Sequence, residues 1–439
     1  MRACLVLGLA SALFAQAPVD PTAVLAEARD KAINRTARLP NYTCDQTVNR
    51  QYFKRKHPPD PLRMPSCDQL NGEKHRGAEK MELEATDRLR LDVKVSNGVE
   101  IGSWAGAPQF DQRSIMDLVS GPFGTGPFLG FSDIFSNGSV SFQYLGGANG
   151  HHEYAFQVPE NSSHYFTRAG NEWVATGYDG TFWVDSTSFE LTRLSVRSGQ
   201  LSEESSGCEA TSTIDYHRIK IGSGEFLLPR SSVLHFLMKD SRETENVTTY
   251  SGCREYHSES TIRFEGEPAP QPDLPKAVWP SLVLPAVFIP AGLSLTLSLV
   301  TPIDTNIAAA GDVVLEKVVQ PVVDPDSGQV LIPAGATVRA RIVKMEYWTG
   351  SPAHFSIAVL LESVDISGVA SPLYARQYLR RIDPRSSAMR SRGVPILLPP
   401  LNQRNNVGTF TFLSPTKGRY VVPVGYESGW VTDVASASR

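Results

Sequence analysis

The chain has 439 residues, 41% of them hydrophobic and 20% charged, with a formal net charge of −4. That balance describes a folded chain rather than a disordered or fibrous one, and its length predicts two or three domains. The near-neutral charge excludes a general attraction to nucleic acid or to anionic membrane.

Arg2 is followed by an uncharged apolar run, Ala3 to Phe14, and then by Ala15-Gln16-Ala17 before Pro18. A basic start, a short apolar core and small closing residues predict a secretory signal peptide over 1–17, too short to span a bilayer. Pro18 disfavours a cut after Ala17, so cleavage is expected after Ala15. Cys4 leaves with the peptide, and Cys44, Cys67, Cys208 and Cys253 remain. An even set in an exported chain predicts disulfides. Three pairings are possible; Cys44–Cys67 with Cys208–Cys253 is expected, because each closes a short local loop. No CxxC and no Cys/His spacing suits a metal, so neither metal nor cofactor is expected.

Asp20-Pro21 starts a helix, with a capping carboxylate and proline at the first position; Val24, Leu25, Ala28, Ala32 and Ile33 follow at helical spacing until Pro40. Period-two alternation then takes over. Leu89–Val95 and Val99–Trp104 flank Asn97-Gly98, the signature of a two-residue hairpin. Further strands are expected at Ser139–Tyr144, His152–Val158, Trp173–Thr176, Thr181–Val184, Leu191–Val196, Thr211–Ile221, Phe226–Met238 and Glu255–Phe264. Ser114–Val119 and Phe131–Phe135 read as short helices on that sheet. Pro268, Pro270, Pro272 and Pro275 mark an extended connector, placed at 268–285, between a first domain over 18–267 and a second over 286–439. The uncharged stretch from Lys276 to Asp304 is broken by Pro280, Pro285, Pro290 and Gly292 and then alternates, so it predicts a linker and a strand. No transmembrane segment is expected in the mature chain.

The second half repeats a unit. Ile289-Pro290-Ala291-Gly292 and Ile332-Pro333-Ala334-Gly335 each precede an alternating run, Leu293–Val300 and Thr337–Val343. Proline lacks a donor and glycine admits positive φ, so each unit predicts a kink feeding a strand. With Val313–Val323 turning at Asp324–Gly328 into Gln329–Ile332, the half reads as an all-β barrel or sandwich. The fold class expected is therefore mainly β: a curved antiparallel half-barrel with packed helices, then a second all-β domain.

The half-barrel part of that expectation rests on a resemblance. The leading helix with Leu39-Pro40-Asn41-Tyr42-Thr43-Cys44, then Gly177-Tyr178-Asp179-Gly180-Thr181-Phe182-Trp183-Val184-Asp185, Leu191-Thr192-Arg193-Leu194 and Phe226-Leu227-Leu228-Pro229, resemble the periplasmic lipoprotein-carrier and sorting (LolA-like) superfamily. That resemblance implies a curved sheet closed by helices around an apolar cavity. Gly311-Asp312-Val313-Val314 and Val330 through Val338 resemble the β-barrel domain of outer-membrane core components of type IV secretion systems, which implies a barrel fold. The family's inner-membrane and pore-forming helices have no counterpart in this sequence.

Candidate sites are few. Gly121-Pro122-Phe123-Gly124-Thr125-Gly126-Pro127-Phe128-Leu129-Gly130-Phe131 has the wrong glycine spacing and no Lys-Ser/Thr for a phosphate cradle. Phe123, Phe128 and Phe131, with Trp183 pointing inward, form a candidate apolar lip for an acyl chain; the alternative is ordinary core packing of grouped aromatics. His151-His152-Glu153 follows a glycine turn, and neighbours on a strand face opposite ways, so a solvated strand start is expected rather than a metal pair. Asp324, Asp326 and Gly328 copy part of a calcium loop, and a hairpin turn is expected instead. GxSxG and HExxH are absent, and Trp183 with Asp185 lacks the second carboxylate of a glycosidase. Arg376, Arg380, Arg381, Arg385, Arg390, Arg392 and Arg404 face only Asp383 in their stretch, a candidate patch for anionic lipid or polymer or else a solvated loop.

The function expected is an exported, non-enzymatic envelope protein that binds a hydrophobic ligand and docks to another envelope component or anionic polymer, without a nucleic-acid partner. The alternative is a structural or assembly protein whose half-barrel is filled by its own side chains. Inward-pointing bulky aromatics favour that alternative, and a small aliphatic lining favours the carrier. A third reading, a hydrolase, needs a Ser or Asp in reach of His164, His217 or His235 in a cleft.

Overall fold

A computed structural model of the chain describes residues 20–36, 38–60, 62–76, 80–96, 99–107, 110, 119, 134–169, 172–199, 201–256, 287–377, 407–413 and 419–434. The expected signal peptide 1–17 and the expected connector 268–285 lie outside these residues. So does the expected helix 114–119, except Val119.

Helix α1 (Pro21–Thr36) begins where the sequence places it, and Asp20 Oδ1 accepts the Thr22 amide at 3.0 Å. Its inner face buries Val24, Ala28 and Ala32. Ten strands then form one antiparallel sheet: β1 (Tyr42–Arg55), β2 (Met81–Ser96), β3 (Val99–Trp104), β4 (Ser141–Ala148), β5 (His151–Val158), and, after a detached hairpin of β6 (Phe166–Ala169) and β7 (Glu172–Ala175), β8 (Tyr178–Asp185), β9 (Leu191–Ser198), β10 (Gly207–Ile221), β11 (Gly224–Met238) and β12 (Glu243–Glu255). Their order is β4-β5-β8-β9-β10-β11-β12-β1-β2-β3. This is the half-barrel, and α1 covers one end of its inner face. Helix α2 (Cys67–Arg76) lies against β10, its Leu70 packed on Leu237 and Cys208.

Three differences from the sequence reading stand out, and the first two share a cause. β1 is absent from it, β12 ends where Glu255–Phe264 was expected to begin, and Trp173–Thr176 belongs to the detached hairpin (257–264 lie outside the described residues). On β1 and β12 the inward positions include Gln46, Arg50, Thr244, Asn246 and Thr248, all buried. Burial keeps a period of two there while hydrophobicity does not.

The disulfides correct the expected pairing: the bonds are Cys44–Cys253 and Cys67–Cys208. Sheet closure decides this. β1 pairs with β12, and the register shift between Thr43↔Arg254 and Asp45↔Ser251 sets Cys44 opposite the Gly252–Cys253 step. Cys67 opens α2, which lies on the strand carrying Cys208.

The carboxy-terminal half contains β13 (Ser294–Leu299), β14 (Ile303–Asp304), β15 (Val313–Val318), β16 (Val322–Val323), β17 (Val330–Ile332), β18 (Thr337–Trp348), β19 (His354–Ile366), β20 (Val369–Pro372), β21 (Ala375–Gln377), β22 (Val407–Leu413), β23 (Val421–Val422) and β24 (Glu427–Thr432). Pairings run β13–β15–β18–β19–β20, continue along the chain into β21, and return through β24 to β13, so the barrel closes. β22 lies on the other part of the β19 edge, while β14–β23 and β16–β17 are small annexes. Both kinks form as expected: Gly292 has φ +90° before β13, and Gly335 has φ +80° before β18. The Asp324 turn is a hairpin between β16 and β17, with Asp324 Oδ1 accepting the Asp326 amide at 2.9 Å. Inside the ring sit Leu297, Val338, Ile342, Leu361 and Trp430.

Candidate functional site

Two regions carry chemistry: the inner face of the half-barrel and the seam between the two β bodies. On β4, β5 and β8 the inner face is aromatic. Tyr154 stacks on Phe182 at 5.2 Å between centroids, and Phe135 meets Phe182 edge-on at the same distance. Phe142 and Phe156 complete the cluster at 6.1 and 6.2 Å from Phe182. Gly180 makes this possible, because a Cβ there would lie 2.9 Å from the Phe156 ring and 1.9 Å from the Ser195 carbonyl oxygen. Helix α1 is tied to the cluster by Tyr154, whose hydroxyl donates to the Pro21 carbonyl at 2.7 Å. Burial pushes the Tyr154 phenol up to about 12, so it remains a donor.

Beyond β10 the inner face sets polar groups beside an apolar cluster of Tyr42, Val93, Val95 and Leu228. Arg50 Nε donates to Asp87 Oδ1 at 2.7 Å, Arg50 Nη2 bonds Asp87 Oδ2, and the Tyr52 hydroxyl donates to the same Oδ2 at 3.2 Å. Their side chains are 3% and 5% exposed, so the pair is one whose partners depend on each other: deleting either leaves a buried charge, at about 3–5 kcal/mol. Burial, with the nearby Glu100 charge, holds the Tyr42 and Tyr250 phenols above their ordinary range.

The seam is built on one edge of β2. Leu91–Ser96 pair with β3, and Ala85–Asp87 pair with β18 of the barrel. Leu89 bridges to Ala310 between them, so the strand edge is covered from Ala85 to Ser96. Polar groups fix the crossing. Buried Arg341 donates to Glu362 Oε1 and to the carbonyls of Ala105 and Gly311, each at 2.6 Å. Arg90 pairs with Asp312, and Arg88 donates to the Asn306 carbonyl. Gly311 is obligatory there: its φ is +109°, and a Cβ would stand 2.0 Å from the Arg90 carbonyl oxygen.

The sequence-derived candidates fall unevenly on this frame. Phe123, Phe128 and Phe131 lie outside the described residues, as do Arg380, Arg381, Arg385, Arg390, Arg392 and Arg404. Arg376 is on β21, opposite Val431. Trp183 alternates with buried Phe182 and Val184 and therefore lies on the opposite, half-buried face, not the inner one. The histidine pair splits across β5 as expected, yet His152 is buried rather than solvated, with Nδ1 3.2 Å from the Tyr144 hydroxyl. His235 Nε2 stands 3.2 Å from Glu245 across β11 and β12. The His217 imidazole is pushed below its usual value by burial first and by Arg230 second.

No protein-family model and no curated protein matches the chain. Among solved structures it is similar to the LolA superfamily protein NE2245 from Nitrosomonas europaea, at 12% identity, covering 55% of this chain and 96% of that one with a TM-score of 0.24. That likeness is too distant to bear on ligand or activity, and the type IV secretion resemblance finds no support in these comparisons. Among the described residues no helix is long and apolar enough to cross a membrane, which says nothing about strands.

Proposed function

We propose that the chain is an exported, non-enzymatic envelope protein that works as an assembly or docking component, its half-barrel packed by its own side chains. The supporting observation is the aromatic cluster of Phe135, Phe142, Tyr154, Phe156 and Phe182 under α1. Bulky aromatics pointing inward at that end compete for the space an acyl chain would need, and close-packed interiors leave few voids larger than a water molecule. The seam supports the same reading, since a partner docking on either body meets both in fixed register.

The test is the mass of the mature chain purified from a bacterial periplasm, recorded under native conditions and again after organic extraction. The expected result is the bare polypeptide with both disulfides, unchanged by incubation with envelope lipids. A releasable species of lipid mass would overturn the proposal and establish the second reading, a carrier of one hydrophobic ligand. That reading draws its support from the curved sheet with an apolar inner face at the β4–β9 end.

A further inference from the structure

The seam encloses a cleft of about 600 Å³ with walls from both bodies. Lys54, Glu82 and Glu84 come from the half-barrel; Trp348, His354 and Thr411 come from the barrel. Thr349 clamps the walls together, its amide donating to the Glu84 carbonyl at 3.0 Å and its hydroxyl to the Leu83 carbonyl at 2.5 Å. Nothing in the Arg341 latch or the aromatic cluster uses these groups.

The cleft has a specific chemistry. Trp348 and His354 stack in parallel, 8° between planes with centroids 6.3 Å apart, and both rings line the cleft. The single polar atom of the indole is engaged, since Trp348 Nε1 donates to Glu346 Oε2 at 2.9 Å, so the rest of the ring presents carbon. His354 Nδ1 lies 3.1 Å from the Pro352 carbonyl, which can only accept. Nδ1 therefore carries a proton and donates to that carbonyl. Lys54 and Glu84 stand 3.7 Å apart, donor beside acceptor, and Glu82 is a second, exposed carboxylate.

One carbon wall flanked by alternating donors and acceptors matches a sugar ring, whose C–H face stacks while its hydroxyls both donate and accept. Two carboxylates against one ammonium disfavour phosphate or carboxylate ligands. The volume falls within the roughly 300–1,000 Å³ of small-molecule sites. We infer that this cleft binds an uncharged pyranose unit of a glycan.

The experiment titrates the mature, disulfide-bonded chain with chitotetraose and maltotetraose, and with tetragalacturonate as the anionic counter-probe, by calorimetry and saturation-transfer NMR. One neutral oligomer is expected to bind saturably, with its ring C–H protons receiving transfer, and tetragalacturonate is expected not to bind. Trp348→Ala should weaken binding by about tenfold or more, the scale of one aromatic stacking contact. Glu82→Gln removes an exposed carboxylate without touching the seam and should weaken it about threefold or more, on the scale of the difference between a hydrogen bond to a charged group and one to a neutral amide. Should Trp348→Ala fail to fold, Glu82→Gln and Thr411→Val decide the matter. Failure of both neutral oligomers to bind, preference for tetragalacturonate, or folded variants that bind as tightly as the parent would each overturn the inference.

Discussion

Glu316 gives the sharpest check on the barrel. It alternates with Val314 and Val318 on β15, so its carboxyl enters the ring, 5% exposed, opposite Leu299 on β13 and Val338 on β18. Its Oε2 has no hydrogen-bond partner among the described residues. Burial alone pushes this carboxyl from 4.5 to about 7. Tyr426, the ionisable neighbour whose own phenol is pushed to about 12, stays neutral throughout that range. Between about pH 4.5 and 7 the folded chain holds a proton that the unfolded chain has released. Stability therefore falls as pH rises through this window, by about 3 kcal/mol once both forms are ionised. Glu316→Gln removes the titration and keeps the shape. Urea unfolding of the parent and of Glu316→Gln from pH 5 to 8.5, followed by circular dichroism, reads the difference directly. Near pH 5 the two should agree to within about 1 kcal/mol, and above pH 7.5 the variant should be the more stable by about 2–3 kcal/mol. A difference that does not change with pH would refute the placement of Glu316 inside a dry ring.

The seam and the disulfides make two further predictions. Gly311→Ala puts a methyl group into the Arg90 carbonyl and forces an L side chain to φ +109°, so it should cost at least about 2 kcal/mol and split calorimetric unfolding into two transitions. A single transition at the parental temperature would contradict a shared seam. Digestion without reduction should yield linked peptides Cys44–Cys253 and Cys67–Cys208, and replacing Cys44 and Cys253 together by Ala should cost about 2–5 kcal/mol. A Cys44–Cys67 peptide would refute the topology of β1 and β12.

Much of the fold is legible where hydrophobicity follows burial. Leu89–Val95, Leu191–Val196, Thr211–Ile221 and Phe226–Met238 all lie inside observed strands, because their inward residues are apolar. The paired Ile-Pro-Ala-Gly units announce β13 and β18 through the torsion that Gly292 and Gly335 must adopt. Legibility ends where the inner face is polar. Arg50 is an unremarkable arginine until β2 sets Asp87 opposite it, and no local pattern distinguishes it from a solvated one. The disulfide pairing fails for a related reason: proximity along the chain is a guide only until a sheet brings β1 beside β12. The seam cleft is the extreme case, since its walls come from residues in opposite halves of the chain.

Two of these failures, the Arg50–Asp87 pair and the seam cleft, share one geometric source, the edge of β2 that β1 does not pair. An exposed strand edge invites pairing with another chain unless something covers it. Here β3 covers only Leu91–Ser96, and β18 supplies the pairing for Ala85–Asp87. The same three residues of β2 include Asp87, the acceptor for Arg50, and Ala85, which lies opposite Tyr52 on β1 and Trp348 on β18. Covering the edge, burying the ion pair and forming the Trp348 wall are therefore one structural event. A half-barrel without its barrel would lose the cover on β2 and the carbon face of the cleft together, so edge protection and glycan recognition should fail in the same variants.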